Sequence, residues 1–311
     1  MTQILLIGSG GQVGQELQKT LPAIGTTTCI SRKELDLTQL DQIRDLIQET
    51  SPNLIVNAAA YTAVDKAESE PELANLINGN APTVMAEAAQ SIGSALIHIS
   101  TDYVFDGNKN TPYTETDTPN PIAAYGRSKL LGEQGIQQVY SHSANFRYAI
   151  LRTAWVYGAL GKGNFAKTML RLGAERDEVR VVADQVGTPT WTKDIATAIT
   201  ALSTQFLSTA EDSPSGIYHF TNSGITSWYD FAVAIFEEAE AIGFPIKLQR
   251  VVPITTPEYP TPTKRPAYSA LAWQKIASLL PSYPPHWRQG LRQMLTELHK
   301  QTYESNYSLR R

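Results

Sequence analysis

An apolar run, Ile4-Leu5-Leu6-Ile7, leads straight into Gly8-Ser9-Gly10-Gly11-Gln12-Val13-Gly14, after which Val13, Leu17 and Leu21 recur every fourth position. This strand, turn and helix constrain the fold more than any other part of the chain. Glycines at 8, 11 and 14 answer three needs: a tight reversal, a close approach of backbone to a ligand, and close contact between helix and strand. The helix start adds unpaired N–H groups and a positive dipole end, which suits a phosphate. In this context the spacing predicts a dinucleotide pyrophosphate site.

The pattern then repeats. Short apolar runs at residues 26–31, 54–60, 95–101 and 148–156 alternate with helical periodicity at Ile43, Leu46 and Ile47 and at Val84, Ala88 and Ile92. Runs of this kind read as buried parallel strands joined by right-handed crossovers, so the expected fold is α/β, a doubly wound parallel (Rossmann) sheet. The second half is less regular. Nine of the 18 prolines lie between Pro245 and Pro285, five of them from Pro253 to Pro266. Proline supplies no ladder donor and breaks helices, so this stretch is an ordered or wrap-around loop. Strands at residues 217–221 and 247–254 and helices at 228–241 and 288–300 flank it. They form a smaller α+β domain, interleaved with the first, over the C-terminal edge of the sheet.

At 311 residues the chain suits one large domain or two joined ones. A net charge of -4 argues against a nucleic-acid partner. One cysteine, Cys29, excludes an internal disulfide and a thiolate-rich metal site. The N-terminus lacks a basic start and a long apolar stretch, and no run is long enough to span a bilayer. The expected location is cytoplasmic, with no membrane partner.

After the second strand an acid would suit NAD, but the chain reads Ser31-Arg32-Lys33 before Glu34. Two cations suit a 2′-phosphate, which favours NADPH, with NADH possible. Farther on, Tyr125-Gly126-Arg127-Ser128-Lys129 follows a proline-bounded loop. Residues four apart share a helix face, so Tyr125 and Lys129 project together, and a cation there can lower a phenol pKa. Such a phenol can exchange a proton during carbonyl reduction. Thr101, at the end of the strand at 95–101, is placed to hydrogen-bond the reacting oxygen.

Glycine turn, strand-end hydroxyl and Tyr-xxx-Lys helix together resemble the extended short-chain dehydrogenase/reductase family. Segments 56–68, 100–105, 152–157, 163–169, 184–190 and 259–266 are similar to those typical of its dTDP-4-dehydrorhamnose reductases. The resemblance implies reduction of the 4-keto group of dTDP-4-dehydro-β-L-rhamnose to dTDP-L-rhamnose, the last step in making that sugar nucleotide. It implies that Gly11, Gln12 and Val13 hold the cofactor pyrophosphate and that Asp36 and Leu37 lie beside the adenine. Ala58, Ala59, Ala60, Thr62 and Val64 would line the cofactor strand end. Tyr125 would donate the proton, Lys129 would bind the nicotinamide ribose and depress the Tyr125 pKa, and Thr101 would orient the keto oxygen. Thr101, Asp102 and Trp155 would touch the sugar, and Arg265 the diphosphate or sugar. An NADP-binding domain at residues 1–163 and 190–222 and a sugar-nucleotide domain at 164–189 and 223–311 are expected.

Some members of that family dimerise around Mg²⁺ held by glutamates. Glu16 and Glu297 match two positions, but Trp191-Thr192-Lys193-Asp194 offers no glutamate at the third. A lysine beside a hard cation is adverse, so no metal is expected. The chain could be a monomer or a homodimer. Rivals are an epimerase or dehydratase of the same superfamily and a redox-silent regulatory subunit. Tyr103, where a dehydratase would carry a second acid, counts against a dehydratase, and an intact Thr101, Tyr125 and Lys129 count against a redox-silent subunit; the epimerase alternative stays open.

Overall fold

In the computed structural model, residues 2–142, 146–208 and 215–304 are described. The first half runs β1 (Gln3–Ile7), α1 (Gln12–Thr20), β2 (Thr26–Ile30), α2 (Leu40–Thr50), β3 (Leu54–Asn57), α3 (Pro71–Asn75), α4 (Ala81–Ser91), β4 (Ala95–Thr101), α5 (Ala124–His142) and β5 (Tyr148–Thr153). It continues with β6 (Val156–Tyr157), α6 (Phe165–Glu175), β7 (Glu178–Val182), β8 (Val186–Gly187), β9 (Thr190–Trp191), α7 (Thr192–Leu207) and β10 (Gly216–His219). Last come β11 (Thr226–Ser227), α8 (Trp228–Ala241), β12 (Arg250–Ile254), α9 (Gln274–Ala277) and α10 (Trp287–His299).

Six parallel strands form the main sheet in the order β10-β5-β4-β3-β1-β2. The order reverses between β1 and β3, which opens a crevice at their C-terminal ends. Strand alternation divides the core. Ile4, Leu6, Leu54, Val56, Ile97 and Leu151 face one side, where Leu17 of α1 and Ile195 and Ile199 of α7 cover them. Leu5, Ile7, Ile55, Leu96 and Ile150 face the other, under Ile43 and Ile47 of α2, Met85 of α4 and Ile136 of α5. With both faces buried, the inner strands read as continuous apolar runs, whereas the edge strand β2, Thr-Thr-Thr-Cys-Ile, is largely exposed rather than buried as expected. The sheet is doubly wound.

A second core lies beside this one. Leu170 of α6, Val179 and Val181 of β7, Phe231 and Ile235 of α8, and Leu291 and Met294 of α10 pack together. β12 pairs in parallel with β7 at Arg250 to Ile254, so Pro253 sits in a two-stranded ladder, where a missing donor is tolerated. The proline-rich loop is ordered by polar anchors: the Asp184 carboxylate accepts from Thr256 N at 2.9 Å and from its hydroxyl at 2.7 Å. A Thr255–Glu258 capping box fixes the next turn.

Three further elements differ from the sequence expectation. The strand expected at 217–221 in the smaller domain is β10, which joins the main sheet beside β5. The run at 148–156 breaks after Thr153, because Trp155 takes a left-handed φ of 44° and carries the chain out of the sheet to pair β6 with β9. The helix expected at Val84 begins earlier, at Pro71, and passes through a π-helical turn at Leu76–Asn80 before α4. No helix of the described residues is long and apolar enough to cross a membrane.

Candidate active site

The glycine turn is built as tightly as its spacing implies. Gly8 has a φ of +89°, and a Cβ there would lie 2.5 Å from Ala59 N; one on Gly14 would lie 2.1 Å from Gly8 O. Gly8 and Ser9 N–H groups both donate to Ile30 O, at 2.8 and 3.0 Å, which ties the turn to the end of β2. Gly11 is the N-cap of α1 and supplies no side-chain cap. The first N–H groups of α1 therefore face the crevice beside Ala58, Ala59 and Ala60, all partly exposed. This cradle, which any side chain would fill, fits a dinucleotide diphosphate. The loop before α6 closes on it: Asn164 Nδ2 donates to Gln12 Oε1 at 2.7 Å, and Lys167 Nζ to Gly161 O at 2.9 Å. Sequence reasoning missed this clamp, because its partners lie 152 positions apart.

At the end of β2, Arg32 and Lys33 are exposed. Glu34 folds back so that its carboxylate accepts from Ser31 N at 2.7 Å and from the Ser31 hydroxyl, which lowers its pKa. Asp36 is exposed, its pKa lowered by the Thr38 N–H, whereas Leu37 is buried in the core beneath α2. The Leu37 side chain thus packs inward, away from the crevice. Thr62 is exposed and Val64 partly so, in the segment that follows β3.

Tyr125 opens α5, whose start is held by a partner that the sequence did not reveal: Glu68 Oε1 accepts from Ala124 N at 2.8 Å. Gly126 lets this turn press on the end of β4, since a Cβ there would lie 2.1 Å from Tyr103 O. The Tyr103 and Tyr125 rings meet edge to face at 5.5 Å. Thr101 Oγ1 donates to Asp102 Oδ1 at 3.0 Å and accepts from Tyr103 N at 3.2 Å. Asp102 is 2% exposed and its Oδ2 has no hydrogen-bond partner. Burial raises its pKa to about 6, although the Ser269 and Thr101 hydroxyls nearby draw it down. Tyr125 is raised by burial, and the Thr101 hydroxyl opposes that rise.

Lys129 is 1% exposed and has no carboxylate partner; its Nζ donates to Ile99 O at 2.6 Å and lies 3.2 Å from His98 Nε2. Burial lowers its pKa to about 8. The depression of the Tyr125 pKa expected from Lys129 is not what this structure shows: the amine turns toward β4, and burial leaves Tyr125 a firmly protonated phenol. That state is the one a proton donor needs.

The remaining expected residues lie on the second-half elements. Arg265 Nη2 pairs with Asp65 Oδ2 at 3.2 Å, and Thr263 Oγ1 donates to Val64 O at 3.0 Å, so the proline-rich loop is latched onto the segment after β3. The Arg265 cation also draws down the pKa of Tyr103, which burial raises to about 12. Trp155 stacks on Trp228 with ring centroids 3.5 Å apart. Its left-handed backbone costs about 1–3 kcal/mol, a strain found most often at binding sites. The donor set proposed for a metal does not suit one. Glu16 pairs with Lys19 at 3.0 Å and Glu297 with Lys193 at 2.8 Å, and no cluster of three or more His, Cys, Asp or Glu occurs among the described residues.

A doubly wound sheet, a glycine turn at its switch point, and a Tyr and Lys one helical turn apart beside a strand-end Thr define a short-chain dehydrogenase type of oxidoreductase. The RmlD substrate binding domain model matches residues 1–300, and the chain belongs to that family. It is 43% identical over 293 residues to a dTDP-4-dehydrorhamnose reductase of Burkholderia thailandensis, covering 93% of this chain and 96% of the relative. The enzyme of that name from Escherichia coli K12 is 42% identical over 302 residues, with 95% and 97% covered. A crystal structure of dTDP-4-dehydrorhamnose reductase from Bacillus anthracis in complex with NADP superposes with a TM-score of 0.86 at 37% identity. It covers 96% of this chain and 100% of that one.

Proposed function

We propose that this chain is the NADPH-dependent reductase that converts the 4-keto group of dTDP-4-dehydro-β-L-rhamnose to the alcohol of dTDP-L-rhamnose, in the cytoplasm. One observation carries the reading: Tyr125, Thr101 and Asp102 gather at the C-terminal end of β4, beside the crevice that the Gly8 turn lines. When bound, the reduced nicotinamide supplies the hydride for C4 of the sugar. Tyr125 gives its phenol proton to the keto oxygen as negative charge builds there, and the Thr101 hydroxyl lies beside Tyr125 to steady that charge. The turn amides, Gln12, Val13 and Ala58 to Ala60 hold the cofactor, with Thr62 and Val64 completing the wall. Lys129 orients its ribose. Trp155, held by Trp228, and Arg265, held by Asp65, line the sugar-nucleotide side. We assign residues 1–163 and 190–222 to the cofactor unit and 164–189 and 223–311 to the substrate unit.

The position after Asp102 separates this reading from a dehydratase. Tyr103 stands there, its ring against Tyr125, so no second carboxylate is offered for water elimination. NADPH oxidation with dTDP-4-dehydro-L-rhamnose tests the reading, with the product identified as dTDP-L-rhamnose. Turnover without loss in Tyr125→Phe would remove the proposed donor. Arg32→Ala tests the cofactor: the ratio of kcat/KM for NADPH over NADH should fall by about 10-fold, the worth of one charge-assisted contact. An unchanged ratio rejects Arg32 as the 2′-phosphate ligand.

A further inference from the structure

One buried chain of polar side chains lies behind the site, and two of its members, Asn57 and His98, belong to none of the roles above. It runs from the end of β3 to α5 through Asn57, His98 and Lys129, all fully buried or nearly so. Asn57 Oδ1 is committed, since it accepts from Ala59 N at 3.0 Å in the backbone of the cofactor wall. That leaves Asn57 Nδ2, a donor, facing His98 Nδ1 at 3.0 Å. A ring nitrogen that accepts carries no proton, so neutral His98 holds its single N–H on Nε2. Burial and the nearby lysine push the His98 pKa far down, which keeps the ring neutral. The Nε2–H therefore points at Lys129 Nζ, 3.2 Å away.

We propose that Asn57 and His98 are a positioning pair: Asn57 fixes the His98 tautomer, and the His98 Nε2–H holds Lys129 where its amine gives up a proton readily. An N–H aimed at an ammonium is donor against donor, whereas a neutral amine accepts it while still donating to Ile99 O. The other groups around Lys129 do not supply this bias. Glu133, one turn along α5, favours the charged amine, but its carboxylate is held by Arg152 of β5 at 2.6 Å. Tyr125, one turn earlier on α5, is a neutral phenol. An amine poised near neutral pH can exchange protons at the pH of turnover. Asn57 also links the two jobs of the crevice, since the same amide orients the Ala59 backbone and, through His98, the lysine.

This inference deepens the reductase reading and rests on it for its purpose, but its test does not use turnover. Imidazole nitrogen NMR separates bare from protonated ring nitrogens, and a His98→Gln sample identifies which of the five histidines is His98. The expected spectrum has a bare Nδ1 and a protonated Nε2. In Asn57→Asp the carboxylate would instead accept from Nδ1–H and reverse the tautomer, giving Lys129 a lone pair to donate to. The Lys129 ionisation, followed by lysine side-chain NMR and assigned by its loss in Lys129→Met, should then rise by about one pH unit, the worth of a hydrogen bond to a charged group. A bare Nε2 in the wild type overturns the proposal, and so does a Lys129 ionisation unmoved in folded Asn57→Asp. Should that variant not fold, the wild-type ring spectrum alone decides. An inactive protein showing the expected spectrum would sink the reductase reading and leave the pair standing.

Discussion

Lys129 and Glu133 sit one turn apart on the same helix, both almost wholly buried, and the protein treats them in opposite ways. Glu133 is enclosed: Arg152 Nε reaches Oε1 at 2.9 Å and Nη2 reaches Oε2 at 2.6 Å, while the Ser100 hydroxyl donates to Oε1 at 2.5 Å. Lys129 meets only a carbonyl and an imidazole. A buried ion repaid by bidentate hydrogen bonds is held in place, and this one anchors α5 to β4 and β5. A buried ion left without a counter-charge changes its protonation easily. Along one helix, the satisfied charge builds the site and the unsatisfied one is available for chemistry.

Lys129→Met is the sharpest cut at this contrast. Turnover should fall by about 10²–10⁴-fold, the range for a lost proton-handling group, in steady-state NADPH oxidation. Stability should not fall with it. The folded-state pKa of Lys129 is about 8 against an ordinary 10.5, so the unfolded chain binds the proton more tightly between those values. Wild-type stability therefore rises with pH across that window, and the penalty is complete below about pH 8. The Met variant lacks the penalty and should be up to about 3 kcal/mol more stable at neutral pH. Equal loss of activity and stability would mean that Lys129 is structural and would erase the contrast.

Glu133→Gln should do the reverse. It strands the Arg152 guanidinium in the core, which costs about 3–5 kcal/mol by denaturant unfolding. Adding Arg152→Met should recover part of that loss, because no unpaired charge then remains. Well below its melting temperature, the single variant should keep far more activity than Lys129→Met. A Glu133→Gln protein as stable as wild type would show that the pair is not what anchors the helix.

Asp102 lies between these extremes, with one oxygen bonded to Thr101 and the other orphaned. Its pKa is raised from 3.8 to about 6. The folded protein thus holds that proton more tightly than the unfolded chain, and stability falls as pH rises from about 4 to about 6. Asp102→Asn should remove this slope and gain at most roughly 3 kcal/mol at pH 8. A difference curve that is flat between pH 4 and 6 would place Asp102 among the satisfied charges with Glu133.

The contrast on α5 was only half legible in the sequence. Tyr125 and Lys129 follow from spacing, since i and i+4 share a helix face whatever else the protein does. The glycine turn and the sheet were legible for the same reason: local patterns at fixed spacing dictate local geometry. What surrounds Lys129 could not be read this way. Its partner His98 lies 31 positions away, and Arg152 reaches Glu133 from 19 positions away. The Arg265 to Asp65 latch closes over 200 positions. These are consequences of strand order, which periodicity does not reveal. A polar residue inside an apolar strand, His98 in Ala-Leu-Ile-His-Ile-Ser-Thr, was the available signal. Burying it demands partners on both ring nitrogens.

Lys193 completes the comparison from the surface. It pairs with Glu297 at 2.8 Å, as closely as many buried pairs, but 39% of the lysine side chain is exposed. Its ammonium also lies 5.2 Å from the centre of the Trp191 ring. Water already solvates the lysine, although the Glu297 oxygen it meets is buried, so the pair gains only modest Coulomb energy and pays side-chain entropy to hold its geometry. Lys193→Ala should therefore lower stability by less than about 1 kcal/mol, against the several expected of Glu133→Gln. High salt should shrink even that difference. The same ammonium fills the place beside Glu297 that a divalent cation would need. Chelation by EDTA should leave the melting temperature and NADPH oxidation unchanged in the wild type. A fall in either on chelation, reversed by added Mg²⁺, would show that Glu297 and its neighbours bind metal despite the lysine.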